Sequence, residues 1–124
     1  MKKVLIIVLC LFFLAGCGTV KKSTTSIAKV KSITCEEASK LSKEDNVYLI
    51  DVRTKEEFDS SHLENAINIP VDNIKSITNN NIVKHNDIII VYCRSGNRSK
   101  TSANELIKMG FTNVYDLGAI TKCQ

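Results

Sequence analysis

One stretch of the 124-residue chain decides its fold: Asp87-Ile88-Ile89-Ile90-Val91-Tyr92-Cys93-Arg94-Ser95-Gly96-Asn97-Arg98-Ser99. It begins as a continuous apolar run rich in β-branched residues, which predicts a strand buried on both faces. The run ends at Cys93, a polar glycine-bearing loop follows, and Ser99 begins a helical pattern. In such a strand–loop–helix unit the backbone N–H groups point into the loop and form an anion site. The sequence therefore predicts that this loop holds negative charge at or beside Cys93.

Cys93 is the first candidate for a functional side chain. The loop amides, the helix N-terminus, Arg94 and Arg98 all favour its thiolate form, and such surroundings lower a thiol pKa from about 8.5 to roughly 3.5–7.5. The alternative is an inert cysteine buried at the end of a core strand, which is common for free cysteines. The residues after Cys93 are polar and cationic rather than apolar. This pattern favours the functional interpretation.

Strand and helix signals alternate through the chain from residue 30 onward. Thr34 and Glu37 have the spacing of a capping box, as have Thr54 and Glu57, and each pair predicts the start of a helix. Gly110 is expected just after a third helix, and 71–77 are expected to form one or two helical turns. Predicted strands lie at 30–33, 47–50, 66–69, 87–93 and 113–117. The alternation predicts an α/β fold, a small parallel sheet flanked by helices on both faces.

The first 16 residues have the features of a targeting segment. Lys2 and Lys3 precede an apolar run over 4–14, which is shorter than the roughly 20 residues of a membrane span. The run ends in Leu14-Ala15-Gly16-Cys17, which resembles the lipobox of bacterial lipoproteins. The resemblance implies cleavage before Cys17 and lipidation of its thiol. The alternative is an ordinary secretory signal.

The predicted organisation is a signal peptide at 1–16, a lipid-anchored tether at 17–32 and a folded domain at 33–124. The tether is rich in Lys, Ser and Thr and cannot bury enough surface to fold alone. We expect the domain at the cell membrane, anchored through Cys17 on the extracytoplasmic face. The net charge of +4 with no basic stripe does not favour nucleic acid. His62 and His85 lack metal-ligand spacing, so neither a metal nor another cofactor is expected.

Several motifs in order resemble the rhodanese family of sulfurtransferases. They cover nearly the whole predicted domain and comprise Ile33-Thr34-Cys35-Glu36-Glu37-Ala38, Asp51-Val52-Arg53 with Glu57-Phe58, His62-Leu63-Glu64-Asn65-Ala66-Ile67-Asn68-Ile69-Pro70, Cys93-Arg94-Ser95-Gly96-Asn97-Arg98-Ser99, and Gly110-Phe111 with Asn113-Val114-Tyr115. The sequence departs from the family where Cys123 replaces its usual tryptophan. This predicts that one wall of the site, or part of the core cover, is altered.

The resemblance implies a double-displacement reaction at Cys93. The thiolate would take sulfane sulfur from an anionic donor such as thiosulfate, and the resulting Cys93 persulfide would pass it to cyanide or a thiol, including one on a partner protein. Backbone donors of the loop would stabilise the persulfide. The implied substrate-binding residues are Arg94, Ser95, Gly96, Asn97, Arg98 and Ser99, and of the two arginines Arg98 is preferred for the sulfonate end.

Residues around the loop are expected to support it. Asp51 is predicted to hydrogen-bond the loop or, alternatively, to cap a helix or remain a surface charge, and Arg53 is predicted to pair with Glu57. Cys35 and Cys123 are further thiols in a compartment that permits disulfides, and their pairing remains open.

Two other function classes compete with a sulfurtransferase. Phosphatases and arsenate reductases use a similar cysteine loop, but they have five residues between Cys and Arg where this chain has four, 94–97. The shorter loop fits a sulfur atom better than a tetrahedral oxyanion. The remaining class is a non-enzymatic protein that carries or binds sulfane sulfur at the cell surface.

Overall fold

The computed structural model describes residue 18 and residues 27–124. The expected signal peptide, the expected lipidation at Cys17 and most of the expected tether lie outside the described residues. Within the described part, no helix is long and apolar enough to cross a membrane.

Five parallel strands form one sheet in the order β1-β5-β4-β2-β3. The elements follow the chain as β1 Lys31–Ser32, α1 Cys35–Leu41, β2 Val47–Asp51, α2 Lys55–Ser60, β3 Ala66–Asn68, a 3₁₀ helix at Val71–Asn81, β4 Ile88–Cys93, α3 Asn97–Lys108, β5 Asn113–Ala119 and a C-terminal 3₁₀ helix at Ile120–Cys123. The predicted α/β class and parallel sheet are confirmed. The main differences are that α3 begins at Asn97, the first 3₁₀ helix continues to Asn81, β5 continues to Ala119, and the C-terminal 3₁₀ helix was not predicted.

The central strand β4 is buried on both faces, as its apolar run predicts. Ile89, Val91 and Cys93 contribute to a core cluster on one face, which α3 covers with Leu106. Ile90 and Tyr92 belong to a second cluster on the other face, where α1 lies. The helices therefore flank both faces of the sheet.

Local sequence signals define the ends of the helices. The side chains of Thr34 and Thr54 accept from the backbone N–H groups of Glu37 and Glu57, and each glutamate binds the backbone N–H of its threonine in return. Gly110 follows α3 with φ +95°, a left-handed conformation that few residues other than glycine adopt readily. Both predicted capping boxes and the predicted glycine after α3 are confirmed.

Two neighbouring strands end at the same edge of the sheet. Asp51 at the end of β2 pairs in register with Tyr92 of β4, and Cys93 pairs with Ala119 of β5. A register shift accommodates one extra residue of β5 before Gly118. This carboxyl edge is where parallel sheets bind ligands, and it brings Cys93, Asp51 and the end of β5 together.

A disulfide joins Cys35 at the start of α1 to Cys123 in the C-terminal 3₁₀ helix, with 5.4 Å between the Cα atoms. The sequence left this pairing open. Ile120 of the same 3₁₀ helix is buried in the cluster beneath α1. The C-terminal segment is thus fixed against the sheet by a covalent bond and an apolar contact.

Candidate active site

The Cys93 sulfur lies at the base of the loop that joins β4 to α3. The residue is fully buried, and the backbone N–H of Gly96 donates to its Sγ at 3.0 Å. Gly96 has φ +99° and is the N-cap of α3. A side chain at that φ would strain the backbone, so the loop needs glycine to aim this N–H at the sulfur.

Donors from the first turn of α3 determine the charge state of Cys93. Burial alone would raise the pKa of its thiol, but hydrogen bonds from the backbone and hydroxyl of Ser99 and from the backbones of Gly96 and Ser95 outweigh it, so the pKa is lowered. When its one proton is not directed at the sulfur, the Ser99 hydroxyl donates to the carbonyl of Gly96 at 3.0 Å, which ties the loop to the helix. The site is built to hold a thiolate.

The guanidinium of Arg98 binds a carboxylate on another helix. Its Nη1 and Nη2 donate to the two carboxylate oxygens of Glu57 in α2, at 2.7 and 3.0 Å. The predicted Arg53–Glu57 ion pair is therefore wrong, because Glu57 faces the first turn of α3 instead. The preference for Arg98 over Arg94 as an anion-binding residue is also weakened, because the Nη1 and Nη2 edge of Arg98 already binds the Glu57 carboxylate.

Asp51 and Arg53 form a second ion pair, and this one is buried. Arg53 donates through its backbone N–H, Nε and Nη2 to the Asp51 carboxylate, at 2.6–3.0 Å. The same Nη2 donates to the carbonyl of Ser61 at 2.7 Å. Asp51 was expected to hydrogen-bond the loop or to act as a cap or surface charge. Those expectations are wrong, because both oxygens of its carboxylate accept hydrogen bonds from Arg53, two residues later in the chain.

Arg94, Ser95 and Asn97 are exposed at the outer side of the loop. Among residues 27–124, Arg94 is the arginine of the loop region that has no carboxylate partner within ion-pair distance. It borders a recess of about 290 Å³ that is lined by Arg53, Glu57, Ser60, Ser61, Arg94, Ile120, Thr121 and Gln124. Among the described residues around the loop, the arginine charge without a carboxylate partner is therefore that of Arg94.

Sequence reasoning missed three contributors to this region. Glu57 was read as a helix cap and as a partner of Arg53. The C-terminal 3₁₀ helix was not assigned to the recess, although Ile120 and Thr121 line it. Tyr92 accepts from the backbone N–H of Leu63 at 3.1 Å, and its face lies 5.7 Å from the Arg53 guanidinium. The spacing of Asp51 and Arg53 was a usable signal, since residues two apart in an extended chain share a face.

Across residue 18 and residues 27–124, no three His, Cys, Asp or Glu side chains lie together so as to hold an ion. What the loop offers instead is a single thiolate, cradled by N–H donors.

Comparison with known proteins identifies the family. The profile of the Rhodanese-like domain matches residues 34–122. The chain belongs to the rhodanese-like domain family. This rhodanese-like domain resembles the thiosulfate sulfurtransferase PspE of Escherichia coli, with 35% identity over 71 residues that cover 57% of the chain and 68% of PspE. It also matches the adenylyltransferase and sulfurtransferase uba4 of Ogataea parapolymorpha, with 38% identity over 76 residues, but spans only 19% of that protein.

A solved structure supports the same assignment. The rhodanese-like domain protein from Staphylococcus aureus is 30% identical and superposes with a TM-score of 0.65, covering 77% of this chain and 92% of that one.

Proposed function

We propose that this rhodanese-like domain is a sulfurtransferase that carries sulfane sulfur as a persulfide on Cys93. The observation that carries the proposal is the convergence of N–H and hydroxyl donors on the sulfur, from Gly96, Ser95 and Ser99. A persulfide places its negative charge one sulfur atom beyond Sγ, and we expect the neighbouring donors of the loop to stabilise it there. Such preorganised donors stabilise developing charge without reorganisation.

The reaction divides into two displacements. The Cys93 thiolate attacks the outer sulfur of thiosulfate, an S–S bond forms, and the sulfur–sulfur bond of the donor breaks with its electron pair leaving on sulfite. An acceptor such as cyanide or a thiolate then attacks the terminal sulfur of the persulfide. The Cys93 thiolate is released with the electron pair of the broken bond, and the enzyme returns to its starting state. No oxidant or cofactor enters the balance.

Arg94 is best placed to attract an anionic donor. Its guanidinium has no carboxylate partner among the described residues and borders the recess beside the loop. A free guanidinium offers paired hydrogen bonds to a sulfonate group. Ser60, Ser61 and Thr121 line the same recess with short polar side chains, so a small anion would find donors there.

Steady-state transfer from thiosulfate to cyanide tests this function. We expect the full-length protein to form thiocyanate, Cys93→Ser to abolish it, and Arg94→Gln to raise the KM for thiosulfate while leaving the reaction intact. Phosphate-ester hydrolysis that depends on Cys93, without thiocyanate formation, would instead identify a phosphatase. Persulfide loading without turnover would identify a sulfur carrier.

We further propose that the domain works at the extracytoplasmic face of the membrane, anchored through lipidated Cys17. The lipobox-like Leu14-Ala15-Gly16-Cys17 stretch supports this location. The Cys35–Cys123 disulfide also supports it, because disulfides persist in oxidising compartments and are rare in the cytosol. Membrane fractionation tests it: Cys17→Ser should release the protein or leave its signal uncleaved. A normally processed mutant that still pellets with membranes would contradict the anchor.

A further inference from the structure

Glu57 is in contact with two structural features at once. Its Oε2 accepts from the backbone N–H of Thr54 at 2.9 Å, as part of the capping box of α2. The same oxygen accepts from Nη1 of Arg98, and Oε1 accepts from Nη2. Arg98 is the second residue of α3, next to Ser99, whose donors hold the Cys93 sulfur. The carboxylate therefore links one helix cap to the first turn of the helix that forms the sulfur site.

The elements around the loop carry several charged and titratable groups. They are Asp51 at the end of β2, Arg53 just beyond it, Tyr92 in β4, Glu57 in α2, Arg94 and Arg98 around the loop, Asp116 in β5 and Lys122 in the C-terminal 3₁₀ helix. Asp51 already neutralises Arg53. Asp116 accepts from the backbone N–H of Gly118, and Lys122 lies beside that same glycine. The pKa of the Arg98 guanidinium is raised, chiefly by its hydrogen bonds to Glu57 and to a smaller extent by the charge of Cys93.

We propose that Glu57 is a positioning residue for the Cys93 loop: its two hydrogen bonds fix Arg98 in the first turn of α3 and cancel the charge that Arg98 would otherwise present to the sulfur. With the Arg98 charge neutralised by Glu57, the sulfur interacts mainly with the neutral backbone and hydroxyl donors, and Arg94 is the arginine that attracts the anionic donor. The catalytic role of the Glu57–Arg98 pair rests on the proposed sulfur transfer. The effect of the pair on the charge of Cys93 does not depend on that function, since it concerns the thiolate before any donor binds.

Charge masking predicts that the pKa of Cys93 shifts in opposite directions in two single variants, whereas a purely structural role for the pair predicts shifts in the same direction. Glu57→Gln removes the negative charge and unmasks Arg98, so the thiolate is favoured and the pKa of Cys93 falls. Arg98→Met removes the positive charge and unmasks Glu57, so the pKa rises. In the double variant both charges are gone, and the pKa returns close to that of the wild type. If the pair only held the loop in shape, both single variants would lose donor geometry and both would raise the pKa.

The chain offers well-matched variants. Glutamine at position 57 keeps the acceptor that the capping box needs, since Gln serves at this position as Glu does, so α2 should remain capped. Glu56 precedes it in the same helical turn and makes no ion pair among the described residues. Glu56→Gln therefore removes the same charge from the same helix without unmasking Arg98, and it should leave Cys93 unchanged.

The test is the pH dependence of iodoacetamide alkylation, followed on the Cys93 peptide by mass spectrometry of the full-length protein. In Glu57→Gln the midpoint should fall by about one pH unit, the low end for a nearby opposite charge. At low pH a pKa lower by one unit gives about tenfold more thiolate, but each thiolate is about threefold less nucleophilic. The alkylation rate at low pH should therefore rise about threefold. Arg98→Met should raise the midpoint, and the double variant should restore it.

Shifts of the same sign in both single variants would overturn the proposal, and so would the absence of a shift in Glu57→Gln. A Glu56→Gln shift as large as that of Glu57→Gln would also overturn it, because the effect would then be general surface charge. Alkylation requires no sulfur donor, so these outcomes are separate from a failure of sulfur transfer, which would appear as absent thiocyanate formation with the alkylation pattern intact.

Discussion

Two arginine–carboxylate pairs flank the Cys93 loop, and they differ in nearly every physical respect. The Asp51–Arg53 pair joins residues two apart at the end of β2, and its side chains are 0% and 7% exposed. The Glu57–Arg98 pair joins residues 41 apart on two helices, and its side chains are 27% and 32% exposed. One is a local pair inside the protein, and the other is a long-range pair at the rim of the site.

The difference in burial assigns the two pairs different roles. Removal of one partner of a buried ion pair is strongly destabilising, because the remaining charge is neither paired nor hydrated. A half-exposed pair contributes little to stability, since solvent screens it. We therefore regard Asp51–Arg53 as part of the framework, which also holds the carbonyl of Ser61. Glu57–Arg98 serves mainly to set the charge around the sulfur.

The largest expected effect tests the buried pair. Asp51→Asn leaves the Arg53 guanidinium buried without a counter-charge, and we expect a loss of about 3–5 kcal/mol in the free energy of unfolding. Urea denaturation followed by circular dichroism measures it. A loss below that of the Glu57→Gln variant would remove the distinction between the two pairs.

Loss of the disulfide is the next largest effect and provides a control for global stability. The bridge closes a loop across 88 residues of sequence separation, and its removal in Cys123→Ser should cost about 2–4 kcal/mol. The bond touches neither pair. The alkylation midpoint of Cys93 should therefore stay where it is in the wild type. A shift of that midpoint as large as those in the Glu57 or Arg98 variants would mean that global stability, rather than local charge, sets the reactivity of Cys93.

The smallest expected effect is the acid response of the rim pair. Hydrogen bonds from Arg98, together with the backbone of Thr54, lower the pKa of Glu57 to about 2. Because the folded-state pKa is lowered, the stabilisation is present above the unfolded value of about 4.3 and is lost as pH falls toward about 2.

Glu57→Gln should therefore flatten the decline in the free energy of unfolding across that pH window. Its cost at neutral pH should be under about 1 kcal/mol. Glu56→Gln is the control and should keep the wild-type decline. If the free energy of unfolding declined with pH equally steeply in both variants, Arg98 would not bind the Glu57 carboxylate in solution.

Local patterns explain why much of the fold was predictable. The β-branched run before Cys93 predicted the buried central strand, and the two Thr–Glu spacings predicted the starts of α1 and α2, because both signals act within a few residues. The loop after Cys93 was equally readable, since its glycine, its polar residues and the following helix are contiguous in sequence.

The partners of the charged residues were harder to predict. Nothing in the sequence links Glu57 to Arg98, because only the packing of α2 beside the loop brings them together. The Cys35–Cys123 bond likewise depends on where β5 places the C-terminal segment. The pairing of Asp51 with Arg53 was within reach of strand geometry, because residues two apart in an extended chain share a face.

The central claim is that Cys93 carries the transferred sulfur. Mass spectrometry of the Cys93 peptide, after the full-length protein is incubated with thiosulfate and separated without reductant, measures this directly. We predict an added mass of one sulfur atom on that peptide, its loss on addition of cyanide, and its absence in Cys93→Ser. An unmodified Cys93 peptide, or a sulfur adduct that persists elsewhere in the Cys93→Ser variant, would contradict the account.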